Sequence, residues 1–387
     1  MKDSSTSSCR CAADAWNDVL KEISIANFRN FDTLRVQLDD HVNVLVGHNG
    51  QGKTNFLEAI YYLALLRSFR STQIADLRQW KRDYFRLDCI CQRHDQPETR
   101  LTVYYGDDRR LLINGNNVYR TSEFVNNFIC VTFIPQDKEL VRGPETLRRR
   151  FLDIAISQMS PAYLKNLQAY MEALKSRNAM LKDQYKYTQA TITAYDQVLV
   201  QKGVAVEMAR RDFVEKLNVA LVEKAKLLVN ESHTMSVKYL SGVGSLLQAT
   251  DEDEAGLMAK FHESLRKHYD RDCREGYTHC GPQRSEMTCM FDKTLLSRYG
   301  SEGECRITSL ALKFACLEIL KNTMTADDIT LLVDDVVGEL DSSRQDNFYR
   351  ELLTSGQIVL AGTFLPICLQ GKAKVFDVVG GKLSLRS

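Results

Sequence analysis

The sequence predicts an α/β domain that is cut in two by a helical arm. Three observations carry this. Strand and helix patterns alternate up to about residue 159. A stretch without proline, from 162 to 281, then carries helical heptads. From about residue 285 buried strand and helix patterns return. The two outer parts must therefore meet to complete one sheet.

Taken in order, residues 1–19 are rich in Ser, Ala and Asp without periodicity and are expected to form a disordered extension. Ile23, Ile25 and Phe28 alternate, then Phe31, Leu34, Val36 and Leu38 do so again, which predicts a hairpin. Val42, Val44, Leu45 and Val46 form a buried strand that runs into Gly47-His48-Asn49-Gly50-Gln51-Gly52-Lys53-Thr54 and on into an apolar helix. Glycines at 47, 50 and 52 let the backbone curl so that successive N–H groups converge on an anion, beside the positive end of a helix. Lys53 is placed to reach outer phosphates and the Thr54 hydroxyl to ligate Mg²⁺. This is the pattern of a nucleoside triphosphate site.

Short strands follow at Leu87 to Cys91 and Leu101 to Tyr105. Leu111 to Ile113 leads into an Asn114-Gly115 hairpin turn, and Cys130 to Ile134 forms a buried strand before Pro135 and Gln136. A basic stretch holds Arg142 and Arg148 to Arg150, partly offset by Glu139 and Glu145. Leu164, Leu167, Met171, Leu174, Leu181 and Tyr185 keep heptad spacing, broken at Asn178. A polar gap at Thr188 to Thr191 separates them from Leu199, Val206, Phe213, Leu217, Ala220 and Leu227. Two helices of about 30 residues would make an antiparallel arm roughly 45 Å long. Asp251 to Glu254 reads as an acidic surface loop. A long helix is expected from Ile307 to Asn322, then strands at Ile329 to Val333 and Gln357 to Ala361, and short strands at the end.

Ile329 to Val333 ends in Asp334 and Asp335. In a chain with a phosphate-binding loop, that strand tip is where a carboxylate orients the metal's waters, here Asp334, and where a second, Asp335, serves as general base. Ser301-Glu302-Gly303-Glu304 precedes the long helix. Ser301 can simply cap it, or the free N–H groups can bind a second phosphate, which would belong to another subunit's nucleotide.

Composition is that of an ordinary globular chain, with 44% hydrophobic and 26% charged residues. Apolar runs such as Tyr61 to Leu66 are too short to span a membrane, and the N-terminus lacks a signal-like core. Eleven cysteines without zinc-type spacing read as reduced thiols of a cytoplasmic protein. A net charge of +1 means that nucleic-acid binding needs a local basic patch. The arm offers one: residues 160–230 hold eleven Lys and Arg against seven acids, with Arg210 and Arg211 adjacent, and Arg142 with Arg148 to Arg150 is the other candidate.

Jointly these motifs are identified with a known family. The glycine loop, Gln136 after a strand, SEGE before a long helix, LLVDD and ELD resemble the ABC-type ATPase head shared by SMC proteins and Rad50. Asn27 to Phe31, Lys53 to Ile60, Arg148 to Asp153 and Asp334 to Asp341 most resemble the RecF family of recombination mediators, from about residue 20 onward. The resemblance implies an ABC-type head split over 20–159 and 271–387, with a β subdomain, interrupted by a helical arm over 160–270. It implies ATP and Mg²⁺ as cofactors and Arg29 and Gln136 as further nucleotide contacts. Arg306 would act with the signature, and Asp341 and Thr363 in the D-loop and switch. It also implies a weak, DNA-stimulated ATPase that dimerises with ATP, binds duplex and gapped DNA, and helps RecO and RecR load RecA, with no membrane partner. Departures are Gln283, Ser285, Glu302, Cys305 and Gly338. Other readings are a small SMC-like ATPase of chromosome maintenance or defence, or a P-loop kinase, which should lack the second anion site.

Overall fold

The structure, a computed structural model, describes residues 20–93, 96–183, 186–229, 233–243, 253–324, 328–336, 338 and 340–386. The expected N-terminal extension, Tyr185, Asp251, Glu252 and Glu339 lie outside the described residues. The first half of the chain runs β1 (Leu20–Phe28), β2 (Phe31–Gln37), β3 (Val42–Val46), α1 (Lys53–Leu65), β4 (Phe85–Cys91), β5 (Thr99–Tyr105), β6 (Arg109–Ile113), β7 (Asn116–Asn117) and β8 (Ile129–Phe133). Helices α2 (Glu145–Met159), α3 (Pro161–Lys182) and α4 (Gln189–Ala225) follow, then β9 (Met235–Leu240), α5 (Glu254–Glu275), β10 (Glu286–Phe291) and β11 (Thr294–Leu295). The chain closes with α6 (Glu302–Thr323), β12 (Ile329–Asp334), α7 (Ser342–Leu353), β13 (Gln357–Gly362), β14 (Lys374–Val379) and β15 (Lys382–Leu385).

The two outer parts do meet in one sheet, ordered β15-β14-β3-β13-β12-β8. All its strands but the edge strand β15 are parallel, and strands from both ends of the chain interleave: Leu332 pairs with Thr132 and Val359 with Asn43. Strands β3, β8, β12 and β13 are buried throughout, as a parallel sheet covered on both faces requires. A second, antiparallel sheet has the order β2-β1-β4-β5-β6-β7. Asn114 and Gly115, at φ of 51° and 83°, make the tight turn between β6 and β7.

Helix α1 is packed between these two sheets, which is why it is apolar all round: eleven of its thirteen residues are buried. Phe56, Ile60 and Leu63 join a cluster with Ile23, Phe85 and Leu87 on one side and Leu45, Leu332 and Val359 on the other. The opposite face of the parallel sheet is covered by α6, with Phe133 and Phe314 ring centroids 5.0 Å apart. Helix α6 begins at Glu302, five residues ahead of the expected Ile307, because Ser301 and Glu304 form a capping box.

The helical insertion departs from the expected pair of equal helices. The first has 22 residues and the second 37, and a third, α5, packs on both. The polar gap is in fact a helix start, since the Thr188 hydroxyl accepts from Thr191 N. Asp253, read as acidic loop, caps α5 by accepting from Gly256 N at 2.9 Å. With two neighbours rather than one, α3 buries Tyr163, Leu167, Tyr170, Ala173, Leu174 and Arg177, a face broader than a heptad seam. Met171 lies off it and is 50% exposed. Only the first part of α4 belongs to this bundle; Val206, Phe213, Leu217 and Leu221 are in the core of the head. No described helix is long and apolar enough to cross a membrane. Of the described thiols Cys89, Cys91, Cys130, Cys280, Cys289, Cys305 and Cys316 are buried, Cys273 is half-buried and Cys368 is exposed.

Candidate nucleotide site

Strand β3 delivers Gly47 to the rim of the sheet, and the loop turns into α1 through Gly50 and Gly52, both left-handed at φ of 81° and 115°. Only glycine holds such angles without strain. His48, Asn49 and Gly50 are exposed at the loop's crest. Lys53 is 7% exposed, and its ammonium donates to Gly47 O at 2.7 Å and His48 O at 2.9 Å, so it spans the inside of the loop. Burial pulls the Lys53 pKa down, opposed by the charges of Asp334 and Asp335.

Across 280 residues of sequence, the Thr54 hydroxyl donates to Asp334 Oδ2 at 2.7 Å. Burial pushes the Asp334 carboxyl pKa up and the neighbouring Asp335 adds to this. The Thr54 hydrogen bond and the charges of Lys53 and Arg70 act the other way. A buried carboxylate lifted in this way is one that a cation would relieve. A hydroxyl and a carboxylate side by side are hard oxygen donors of the kind Mg²⁺ takes alongside phosphate oxygens, so the donor set fits that ion. Among the described residues no cluster of three or more His, Cys, Asp or Glu could form a cage of its own. Asp335 differs from its neighbour. It is exposed, left-handed at φ 43°, and its N–H donates to Ala361 O. It lines a cavity of about 240 Å³ together with Gly338, Asp346, Tyr349 and Thr363.

The remaining expected residues fall in different places. Gln136 is exposed on the turn after β8, at a neighbouring cavity of about 350 Å³ that also holds the Asp137–Lys313 ion pair. Arg29 is committed elsewhere. Its guanidinium makes two 2.8 Å bonds to the fully buried Glu58 on α1 and one to Asp76 O. Asp341 caps α7 and pairs with Arg344. At the start of α6 the Glu304 carboxylate accepts from Ser301 N at 2.7 Å and from its hydroxyl at 2.8 Å, while Gly303 faces open space. Glu302 pairs with Lys138 at 2.8 Å and lies 4.0 Å from Arg306.

Sequence reasoning missed what braces the loop. Asn30 Nδ2 donates to Gln51 O, Asn55 donates to Asn30, and Gly380 N and Gly381 N donate to Gln51. These contacts join three distant segments, and no spacing along the chain signals them.

The fold corrects part of the expected basic surface on the arm: Lys165, Lys175, Lys182 and Lys186 are exposed, but two arginines are not. Arg210 is 2% exposed, pairs with Asp153 at 2.7 Å and donates to Pro282 O. Arg177 is fully buried between Asp196 and Asp272. Lys216, Lys224 and Lys226 also hold carboxylate partners. In the other basic stretch Arg142 is exposed, whereas Arg148 pairs with Glu286, Arg149 with Glu145, and Arg150 donates to Ser68 O. Heptad counting placed Arg177 and Arg210 on a surface; the third helix and the head enclose them.

The family model described as the RecF/RecN/SMC N-terminal domain matches residues 19–361. The DNA replication and repair protein RecF of Halalkalibacterium halodurans is 32% identical over 85% of this chain and 88% of its own length. That of Streptococcus agalactiae serotype Ia is also 32% identical, over 95% and 98%. Among solved structures, an ATP complex of the recombination mediator RecF in the RecFOR pathway superposes with a TM-score of 0.89. It is 27% identical and covers 97% of this chain and 100% of its own. An Smc head bound to the C-terminal winged-helix domain of ScpA shares the fold, at 12% identity, a TM-score of 0.54 and coverage of 95% and 97%.

Proposed function

This chain belongs to the RecF family, within the wider group of RecF, RecN and SMC N-terminal domains, and from that premise we propose that it is an ATP-switched DNA-binding protein of replication and repair. The observation that carries the reading is the 2.7 Å contact between Thr54 and Asp334, beside Lys53. A phosphate loop from one half of the chain and a strand-tip carboxylate from the other share one point in space, as phosphoryl chemistry needs.

In this reading Lys53 leaves the carbonyls of Gly47 and His48 for the β- and γ-phosphates of ATP, which the loop's N–H groups from Gly47 to Thr54 surround. Thr54 and Asp334 would hold Mg²⁺, which supplies charge neutralisation along the phosphates. Asp335, exposed at the strand tip, accepts the proton of the attacking water, and Thr363, which lines the same cavity, senses the γ-phosphate. Gln136 and Arg306 act from the flanks. Arg29 acts through Glu58, holding α1 in place rather than touching phosphate. Ser301 to Glu304 receive the γ-phosphate bound to a second subunit. Two such sites between like surfaces make a twofold homodimer, which hydrolysis opens again. The dimer binds duplex and gapped DNA in the cytoplasm and, with RecO and RecR, supports RecA loading.

Sedimentation velocity with gapped duplex DNA, with and without ATP, tests this. The expected result is a protein mass that doubles with ATP and falls back as ATP is consumed. A monomer under saturating ATP, with nucleotide bound, overturns the switch.

A further inference from the structure

Arg177 and Arg210 of the arm are buried, and a further pair of exposed arginines lies outside it. A cavity of about 210 Å³ lies where three units meet: the C-terminal end of α1, the antiparallel lobe and the base of the helical insertion. Arg67 and Arg109 line it, and both are exposed. Neither side chain makes a hydrogen bond or ion pair with any described residue. That sets them apart from the arginines described above. The single acid in the wall, Asp153, is already held by Arg210 and by the Tyr163 hydroxyl at 2.6 Å. Asp107 and Glu123, close in sequence to the lining residues, form no part of the wall. Thr121 accepts from the Gln168 amide, so its own O–H remains to donate into the cavity.

The geometry points to a phosphate-binding pocket here, taking one backbone phosphate of DNA on the forks of Arg67 and Arg109 with Thr121 as a third donor. Guanidinium groups match phosphate oxygens in pairs, and the apolar remainder of the wall, such as Leu66, strengthens the attraction. The volume is below the roughly 300–1,000 Å³ of pockets that enclose a whole small ligand. It holds a phosphate while the rest of the molecule stays outside, which fits a chain running over the surface better than a free nucleotide. The pocket is also linked to the nucleotide site. Arg67 follows α1, whose first residue is Lys53, and its thirteen residues, eleven of them buried, form a rigid rod about 20 Å long.

The inference rests on the DNA-binding reading above, and the test separates the two. Binding of full-length protein to gapped duplex is measured by fluorescence anisotropy over a salt series, with the nucleotide site saturated by a non-hydrolysable ATP analogue. For Arg67→Gln/Arg109→Gln, the slope of log K against log salt should fall by about 0.9 for each phosphate that is no longer neutralised. Affinity for the analogue should stay unchanged, and Arg67→Lys/Arg109→Lys, which keeps the charge, should retain the slope. A double Gln variant that is folded and has the wild-type slope overturns the DNA assignment. Calorimetric titration with inorganic phosphate, again with the analogue bound, is the second arm. Phosphate binding that disappears in the double Gln variant, in a protein that ignores DNA, keeps the pocket and refutes the DNA reading. Phosphate binding that is absent in wild type, or equal in both proteins, refutes the pocket.

Discussion

Asp334 and Asp335 are neighbours in sequence with opposite surroundings, and substitution should separate them. Asp334 is 8% exposed and its carboxyl pKa is raised above the ordinary 3.8, burial being the first cause. A raised carboxyl binds its proton more readily in the fold than in the unfolded chain. Its ionised form therefore costs stability at neutral pH, and the cost disappears as pH falls through the raised value toward 3.8. Asp334→Asn keeps an oxygen for Thr54 and removes the charge. The nucleotide-free protein should melt higher near neutral pH, by a margin that shrinks on acidification, while Mg²⁺-dependent ATP turnover collapses. A calorimetric melting point unchanged across that range would show that the carboxyl is not under strain. Asp335→Asn should leave folding intact, because Asn also tolerates a left-handed φ. ATP binding should persist while turnover falls by about 10²–10⁴, the range for loss of a general base. Turnover at the wild-type rate would return Asp335 to a structural turn.

At the level of elements, the helical insertion is pinned by charge as much as by apolar contact. Arg177 on α3 bonds Asp196 on α4, Asp272 on α5 and the Thr278 hydroxyl, each at 2.7 Å, with no exposed surface of its own. Arg177→Met should therefore destabilise the insertion by about 3–5 kcal/mol, since two buried carboxylates lose their partner. Denaturation followed by a probe in the bundle measures it, and a loss under about 1 kcal/mol would mean water replaces the guanidinium. The same residue shows where the sequence was legible. Contiguous signals such as the glycine loop, the strand ending in Asp334 and the Asn114-Gly115 turn carried through because each is fixed by local backbone chemistry. Arg177 and Arg210 read as surface cations because helical periodicity registers one partner helix and not a third. The Arg29–Glu58 pair is not legible because the two residues are neighbours only in space. Ser301 was legible as a cap for the opposite reason: its partner Glu304 is three residues away.

For the whole molecule, the proposed ATP-driven dimer puts the start of α6 against the nucleotide of a second subunit. In the single subunit part of its donor set is already occupied: Glu304 accepts from Ser301 N and its hydroxyl, and the Ser301 hydroxyl accepts from Glu304 N at 3.2 Å. A phosphate arriving from a second subunit displaces the Glu304 carboxylate if it is to bond Ser301, an anion for an anion, at the positive end of a 22-residue helix. The neighbouring Glu302 is offset by Lys138, so Glu304 is the charge that opposes closure. Ser301→Arg would fill this space with a long side chain and remove the hydroxyl, without contact to the loop from Gly47 to Thr54. It should abolish ATP-driven dimers while each monomer binds one ATP with wild-type affinity. Light scattering and binding of a fluorescent ATP analogue, run on the same samples, read the two separately. A dimer that still forms with ATP places the second phosphate contact away from Ser301, and loss of both signals would show that α6 supports the nucleotide of its own subunit.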